Sequence, residues 1–310
     1  MERIGFLVTR HNVMPENILG LTFTRNAAEE MRLRLIPVLG ELAQRVTLST
    51  IHSFCHYLLR SEGKVFEIIS GKEQISMIRN LMKRKRLDMS VGTLLREISL
   101  AKNNLIGVEE FKALYESDKL MSKVANIYES YEKEKAKKYL LDFDDLLVET
   151  YNLLSTDDSI REKYSERYQH VLIDEFQDTN PVQLEIIKLI VDHRNSNQKS
   201  YWITGDDWQS IYSFAGASVN NILNFEKNFK HSEIFILNIN YRSTPQILRA
   251  CQNLISHNVR KIEKTLKTDN PEGDEVIVLE SSSEEGEALS IINEIRDLVD
   301  KRGYQYKDCA

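Results

Sequence analysis

Short runs of branched apolar residues along the chain are followed by segments whose apolar residues recur at helical spacing. Such runs occupy residues 18–21, 46–48, 171–173 and 202–204, and two more lie in EIFILNINY (233–241) and EVIVLES (275–281). Short apolar runs rich in β-branched residues predict strands, and the segments between them predict helices. This alternation predicts an α/β fold with a doubly wound parallel sheet.

The stretch from about residue 61 to residue 140 has a different pattern, with long helical periodicity and little strand signal. It predicts a helical insertion in the α/β core. Two charge runs lie within it, KRKR at residues 83–86 and EKEKAKK at residues 132–138. We expect both runs to be solvated helix faces, because charges of both signs are mixed in this region. Before the insertion, Thr24 is the expected N-cap of the helix that follows the first strand.

Acidic residues follow the apolar run of VLIDEFQDTNPVQLEII (residues 171–187) directly. Ligand sites in parallel α/β sheets lie beyond the carboxyl ends of the strands. Asp174 and Glu175 would lie there, where one carboxylate can hold a hydrated metal and the other can orient a water molecule. The alternative is an ordinary acidic strand exit without chemistry, because short motifs of this kind have many false positives.

The stretch WITGDDWQSIYSFAGA (residues 202–217) repeats this arrangement. Gly205 ends the strand and permits a close backbone approach, and Gln209 is suited to contact a phosphate oxygen or a water molecule beside it. Trp208, Tyr212 and Phe214 follow. Each of these aromatic residues is either a core residue or part of a stacking platform for bases, which contributes about 1–3 kcal/mol per base.

A third polar strand end lies in LNINYRST (residues 237–244), where Tyr241 and Arg242 precede a Ser-Thr-Pro helix start. A guanidinium delivered to a sheet edge can neutralise the charge that develops during phosphoryl transfer. The alternative is an arginine on the surface at the end of a helix.

The composition is that of a globular protein, with 42% hydrophobic and 28% charged residues. The net charge of −6 gives no global basic field for nucleic acid, although a local groove can still be basic. The three cysteines show no paired spacing for zinc or for disulfides, which favours a reducing, cytoplasmic location. No apolar run approaches the length of a bilayer span, so we expect no membrane association.

Six motifs in order along the chain resemble the UvrD/Rep family of superfamily 1 DNA helicases. These motifs are LTFTRNAAEEM, STIHSFC, LDFDDLL, VLIDEFQDTNPVQ, GDDWQSIYSFAGA and NYRST. The GDDWQ sequence, with Trp208 where an acidic residue is commoner, is most similar to the DNA helicase IV branch. The resemblance implies ATP and Mg²⁺ as cofactors and single-stranded DNA and duplex junctions as partners. It also implies coupling of ATP hydrolysis to 3′-to-5′ movement and duplex unwinding; it implies nothing about protein partners.

The resemblance also implies a role for each matching residue. Asp174 would hold the magnesium ion, and Glu175 would position and activate the attacking water. Gln209 would sense the γ-phosphate, Arg242 would stabilise its transition-state charge, and Tyr241 would stack on the adenine. The residues implied in binding single-stranded DNA are Thr22, Phe23, His52, Tyr212 and Phe214.

In the family these parts lie between two RecA-like lobes, which implies four segments here. Residues 1–60 would be the first part of lobe 1, and residues 61–140 its helical insertion. Residues 141–236 would complete lobe 1, and residues 237–310 would begin lobe 2. The expected fold is therefore a RecA-like parallel-sheet core with a helical insertion subdomain and the start of a second RecA-like lobe.

Three features depart from the family pattern. No G-x-x-x-x-G-K-[ST] loop, which cradles phosphates, occurs in the 310 residues. We therefore expect a piece of a helicase shortened at both ends, with little ATP hydrolysis of its own. Asn26 and Ala215 stand where the family commonly has basic residues, which removes positive charge near the expected DNA contacts. The alternative function is a non-catalytic remnant that binds DNA or a protein partner.

Overall fold

The computed structural model describes residues 1–191, 199–230 and 232–309. The chain divides into two compact units, Met1–Glu233 and Ile234–Ala310, and each unit is described by itself. The four-segment division implied by the family resemblance stays a prediction. Among the described residues, no helix combines the length and apolar character that crossing a membrane requires.

The first unit contains a parallel sheet with the strand order β2-β1-β5-β6. The registers pair Leu19 with Thr47 and with Val171, and Ile173 with Ile203. A separate parallel pair joins β3 to β4. The strands in chain order are β1 (Ile18–Thr22), β2 (Thr47–Thr50), β3 (Glu67–Ile68), β4 (Leu140–Leu141), β5 (His170–Ile173) and β6 (Ser200–Ile203). The strand predictions at residues 18–21, 46–48, 171–173 and 202–204 are therefore confirmed to within two residues at each boundary.

The described residues contain helices in both units. In order they are α1 (Glu2–His11), α2 (Arg25–Leu39), α3 (Ile51–Ser61), α4 (Gly71–Lys85), α5 (Val91–Asn103), α6 (Val108–Leu114), α7 (Lys119–Lys137), α8 (Phe143–Thr156), α9 (Asp158–Arg167), α10 (Pro181–Val191), α11 (Asn220–Leu223), α12 (Phe225–Asn228), α13 (Pro245–Ser256) and α14 (Glu284–Arg302). Thr24 caps α2 as predicted, since its side chain accepts a hydrogen bond from the backbone N–H of Ala27 at 3.1 Å.

Both faces of the sheet are covered, which explains why its central strands are almost continuously apolar. On one face, Leu21 and Ile173 pack in a cluster with buried residues of α3, α8 and α10. On the other face, Ile18 and Leu48 pack against buried residues of α1 and α2. The two coverings leave the carboxyl ends of the strands as the edge where polar side chains can meet.

Helices α4 to α7 form a second core within the first unit. Ile78, Leu94 and Val124 are buried at its centre, each with no exposed surface. The helical reading of residues 61–140 is therefore confirmed, apart from the short strands β3 and β4.

The prediction that the charge run at residues 132–138 is a solvated face is wrong for Lys135, which is 1% exposed. Lys102, on α5, is 3% exposed and lies in the same cluster. The Lys102 ammonium lies 2.8 Å from Asp142 and 2.6 Å from Asp145, and Lys135 lies 2.9 Å from Asp142. The reason is that Lys135 falls on the apolar side of α7 and its charge is matched by carboxylates. We call the group Lys102, Glu132, Lys135, Asp142 and Asp145 the buried ion network.

The predicted strands at residues 233–241 and 275–281 are wrong. In the second unit, the described residues form one isolated parallel bridge, between Ile239 and Lys267, and no extended ladder. A strand is stabilised by hydrogen bonds to a neighbouring strand, and the described residues of this unit supply no such neighbour. Leu237 and Val278 are each 88% exposed, so the apolar pattern is present without the packing. The helix predicted after residue 281 is confirmed as α14.

Candidate active site

Asp174 continues the line of β5 at the carboxyl edge of the sheet. Its backbone N–H donates to the carbonyl of Leu21 at 2.9 Å, which ties it to β1. The Thr204 hydroxyl, beyond the end of β6, donates to Oδ1 of Asp174 at 2.6 Å. β1 therefore fixes the backbone of Asp174, and Thr204 holds its carboxylate, which the family resemblance implies to be the metal ligand.

Glu175 has an unusual backbone conformation just beyond the end of β5. Its φ and ψ of 52° and 44° are left-handed, which is uncommon for a residue other than glycine and costs about 1–3 kcal/mol where it occurs. The side chain is exposed, and its Oε2 accepts a hydrogen bond from Nε2 of Gln177 at 2.7 Å. The fold thus displays the Glu175 carboxylate to solvent while one neighbour holds it in place.

Asp178 is the third acidic residue of this loop, and it is buried at 8% exposure. Burial, followed by repulsion from the Glu175 carboxylate, raises the pKa of Asp178 to about 6. Its Oδ1 is buried and has no hydrogen-bond partner among the described residues. Asp178 is therefore a buried neighbour of Asp174 and Glu175 rather than a second carboxylate exposed to solvent.

Gln209 lies in a short 3-10 turn that follows β6. Its Nε2 donates to Oδ2 of Asp206 at 2.8 Å, and Oδ1 of Asp206 accepts from the backbone N–H of Trp208 at 3.0 Å. Gln209 is exposed, whereas Asp207 is 8% exposed. Asp206 therefore holds the amide that the sequence predicted to sense a phosphate.

Two loops beyond the sheet edge are joined to each other, and we name them the acid loop (residues 174–180) and the glutamine loop (residues 205–218). Oε1 of Gln177 accepts from the backbone N–H of Asp206 at 3.0 Å. The backbone N–H of Ser218 donates to the carbonyl of Thr179 at 3.0 Å. A Cβ at Gly205 would lie 2.8 Å from Oε1 of Gln177, so this contact requires glycine. The predicted close approach at Gly205 is thus to the acid loop.

Three neighbouring aromatic rings, two of them on the glutamine loop, form a row in which the outer two are exposed. The ring centroids of Phe23 and Tyr212 lie 5.0 Å apart, and those of Tyr212 and Phe214 lie 5.9 Å apart. Phe23 is 44% exposed and Phe214 is 68% exposed, so neither is a core residue. We call Phe23, Tyr212 and Phe214 the aromatic surface.

His52 lines a cavity of about 710 Å³ together with Phe23 and Arg25. Burial lowers the pKa of His52 and favours the neutral ring. Phe143, also on this cavity, is 49% exposed and was not singled out in the sequence. Thr22 is only 3% exposed, so little of its side chain is accessible, and its predicted contact with DNA stays a prediction. It is the last residue of β1, where the sheet buries it.

Tyr241 and Arg242 belong to the second unit and are both exposed. Oδ1 of Asn240 accepts from the backbone N–H of Arg242 at 2.9 Å and from that of Ser243 at 2.7 Å. These bonds form a turn before α13, which begins at Pro245. The side chains of Tyr241 and Arg242 are therefore presented on a turn of the second unit.

The chain matches two family models that together cover nearly all of its length. Residues 1–230 match the UvrD/REP helicase N-terminal domain, and residues 235–310 match the UvrD-like helicase C-terminal domain. The chain belongs to the UvrD/Rep helicase family. The family resemblance read from the motifs is thereby confirmed, and so is the α/β, RecA-like fold class. The assignment to the helicase IV branch stays a prediction.

Relatives within the UvrD/Rep family carry helicase names. The chain is 34% identical over 307 residues to the ATP-dependent DNA helicase PcrA of Bacillus subtilis, which is 96% of this chain and 41% of the relative. It is 35% identical over 322 residues to the protein of the same name from Staphylococcus epidermidis, covering 99% and 43%. A probable DNA helicase II homolog of Mycoplasma capricolum is 34% identical over 319 residues, covering 99% of this chain and 43% of the relative. The chain thus spans about two fifths of the length of these relatives.

Proposed function

We propose that this chain carries part of the motor of an ATP-dependent DNA helicase that moves on single-stranded DNA. The observation that supports it is the junction of the acid loop and the glutamine loop at one edge of a parallel sheet. This junction brings two carboxylates and an exposed amide, the groups that orient a metal and a water molecule in phosphoryl transfer, to neighbouring strand ends. The family membership supports the same reading.

The donor set at the sheet edge fits a magnesium ion. Mg²⁺ prefers oxygen ligands and is commonly held by one or two carboxylates together with water and phosphate oxygens. Oδ1 of Asp174 is taken by the Thr204 hydroxyl, while Oδ2 has no hydrogen-bond partner among the residues that the structure describes. We assign Asp174 to hold the ion, which when bound neutralises phosphate charge. Glu175, displayed by its left-handed backbone, is assigned to orient and activate water.

The remaining assignments follow the family motifs. Gln209 would contact the γ-phosphate or a water beside it, and its exposed amide supports this role. Tyr241 would stack on the adenine and Arg242 would stabilise transition-state charge, and both are presented by the turn before α13. Movement in the 3′-to-5′ direction, action at duplex junctions and a cytoplasmic location belong to the same proposal.

Single-stranded DNA would stack on the aromatic surface, with His52 and Arg25 lining the adjoining cavity. Exposed rings can stack bases of any sequence, since every base offers a π-face. Arg25 supplies a positive charge at this cavity, although Asn26 does not. This arrangement supports binding that depends weakly on sequence and strongly on salt.

The proposal is tested by the binding of a fluorescently labelled oligothymidine to the 310-residue chain, measured by anisotropy at several salt concentrations. Phe23→Ala is expected to weaken binding by about 5- to 150-fold, because base stacking contributes about 1–3 kcal/mol. Phe6→Ala is the matched control, since Phe6 on α1 is 45% exposed against 44% for Phe23.

Two outcomes would contradict this placement of DNA. One is the absence of oligonucleotide binding by a folded wild-type chain at low salt. The other is an equal loss of affinity in the Phe6→Ala and Phe23→Ala variants.

A further inference from the structure

Gln177 is the most deeply buried polar residue of the acid loop, with 1% exposure. The NH₂ group and the carbonyl oxygen of its side-chain amide both form hydrogen bonds. Nε2 donates to Oε2 of Glu175 at 2.7 Å, and Oε1 accepts from the backbone N–H of Asp206 at 3.0 Å. The side chain therefore spans from a displayed carboxylate of one loop to the backbone of the other loop.

We propose that Gln177 is a positioning residue that transmits movement of the glutamine loop to the Glu175 carboxylate. The effect of this transmission on water activation rests on the function proposed above. The hydrogen bonds that join Gln177 to the two loops do not depend on that function. Gln177 has no role in the sequence interpretation, which read the acid loop through its carboxylates alone.

The chemistry of the side chain explains why an amide is needed at this position. The backbone N–H of Asp206 requires an acceptor, so Oε1 must face the glutamine loop. The NH₂ group then faces the Glu175 carboxylate, which requires a donor. Glutamine and asparagine offer both groups, and only glutamine has the longer reach. A carboxylate, an ammonium or a thioether in the place of Gln177 would satisfy at most one of the two partners.

The packing around Gln177 makes the contact sensitive to movement. The position of a Cβ at Gly205 would lie 2.8 Å from Oε1 and 3.3 Å from the backbone nitrogen of Gln177. The glutamine loop thus rests directly on this residue. Seven residues further along the loop, the Tyr212 ring lies on Phe23. A base that separates Tyr212 from Phe23 would displace the glutamine loop, and Gln177 connects that displacement to Glu175.

Hydrogen exchange of the 310-residue chain, read by mass spectrometry with peptides that resolve the Asp206 amide, tests the inference directly. Gln177→Met keeps a similar volume and removes both hydrogen bonds. We expect exchange at Asp206 to rise about fivefold or more, the effect of losing one hydrogen bond of ordinary strength. Gln177→Glu retains an oxygen that can accept from Asp206, and burial beside the Glu175 carboxylate favours its protonated form, whose O–H replaces the donor to Glu175. This variant is therefore expected to restore protection.

Gln183→Met is the matched control, because Gln183 is also buried, at 5% exposure, and caps α10 through reciprocal bonds with Asn180. It is expected to leave Asp206 exchange unchanged. Unchanged exchange at Asp206 in folded Gln177→Met, or an equal rise in Gln183→Met, would overturn the proposal. If Gln177→Met fails to fold, the Gln177→Glu variant tests the proposal instead. Loss of protection of the Asp206 amide in folded Gln177→Glu would also overturn the proposal.

Addition of oligothymidine tests the transmission. In the wild-type chain, DNA is expected to change exchange in both the glutamine loop and the acid loop. In Gln177→Met the response of the glutamine loop should remain, and that of the acid loop should be lost. An acid-loop response of wild-type size in Gln177→Met would overturn the transmission. If the oligonucleotide does not bind the wild type, the proposed function fails, while the measurement without DNA still decides whether Gln177 joins the loops.

Discussion

Replacement of Lys102 by methionine is expected to destabilise the first unit by about 3–5 kcal/mol, the cost of removing one partner from a buried ion pair. The Lys102 ammonium lies 2.8 Å from Asp142, 2.6 Å from Asp145 and 2.9 Å from Glu132, and its side chain is 3% exposed. Methionine preserves the length of the apolar stem and removes the charge. The effect should therefore come from the carboxylates left behind rather than from a cavity.

The charge balance of the buried ion network explains the sign and the size of the expected stability change. Three carboxylates and two ammonium groups sum to −1, and loss of Lys102 changes the sum to −2. Lys102 and Lys135 offset burial and hold the pKa of Asp142 below its ordinary value. Without one of them, a buried carboxylate must take up a proton or draw in water, and both responses cost free energy.

Urea unfolding followed by tryptophan fluorescence measures this loss. The chain has two tryptophans, Trp202 and Trp208, and both lie in the first unit, so the signal reports that unit. Lys112→Met is the control, because Lys112 contacts Glu109 at 2.9 Å but keeps 32% of its side chain exposed. Its loss is expected to be small, because an ion pair of a partly exposed side chain contributes little to stability.

A second variant separates charge from packing. Asp145→Asn in the Lys102→Met background returns the charge sum of the network to −1, and we expect it to recover about 1–2 kcal/mol. A loss in Lys102→Met no larger than that of the Lys112→Met control would refute the reasoning. So would a further loss in the double variant, because the network would then depend on hydrogen bonds of Asp145 rather than on charge.

Two further predictions concern the loops. Gly205→Ala should lower the free energy of unfolding by about 1–3 kcal/mol, since the new methyl group would lie 2.8 Å from Gln177. Gly92→Ala is the control, because its methyl group would meet nothing closer than 3.9 Å and should cause no loss of stability. Equal urea midpoints for the two variants would contradict this prediction. The pKa of Asp178 is about 6 in the fold and about 3.9 in unfolded chains, so the folded state loses stability as the pH rises from about 4 to about 6. Asp178→Asn should therefore stabilise the first unit by about 1–2 kcal/mol at pH 7.5 and leave it unchanged below pH 4. A stabilisation that is the same at both pH values would argue against titration as the cause.

The sheet and its acidic edge were predictable from the sequence because both depend on local pattern. The apolar runs of β1 and β5 are continuous because helices cover the two faces of the sheet. The carboxyl ends of parallel strands meet at one edge, so the positions of Asp174 and Gln209 along the chain were enough to predict that they lie near each other. Their roles in catalysis stay a prediction.

The second unit shows where local pattern fails. Residues 233–241 have the composition of a strand, but Leu237 remains 88% exposed and the segment forms a single bridge. Hydrophobic alternation indicates that a segment can pair, and pairing itself depends on a partner far away in the sequence. By contrast, α14 was predicted correctly because a helix makes its backbone hydrogen bonds within one segment.

Buried charged residues were only partly predictable from the sequence. In α7, Val124, Tyr128, Tyr131 and Lys135 share one face at helical spacing, and all four are buried. A lysine that continues an apolar face requires an acidic partner, because an unpaired buried charge is too costly. The segment LDFDDLL offered that partner. Asp142 caps α8, and the carboxylates of Asp142 and Asp145 each accept a hydrogen bond from the backbone N–H of the other residue. Periodicity applied to charged residues, and not only to apolar ones, would therefore have predicted the buried ion network.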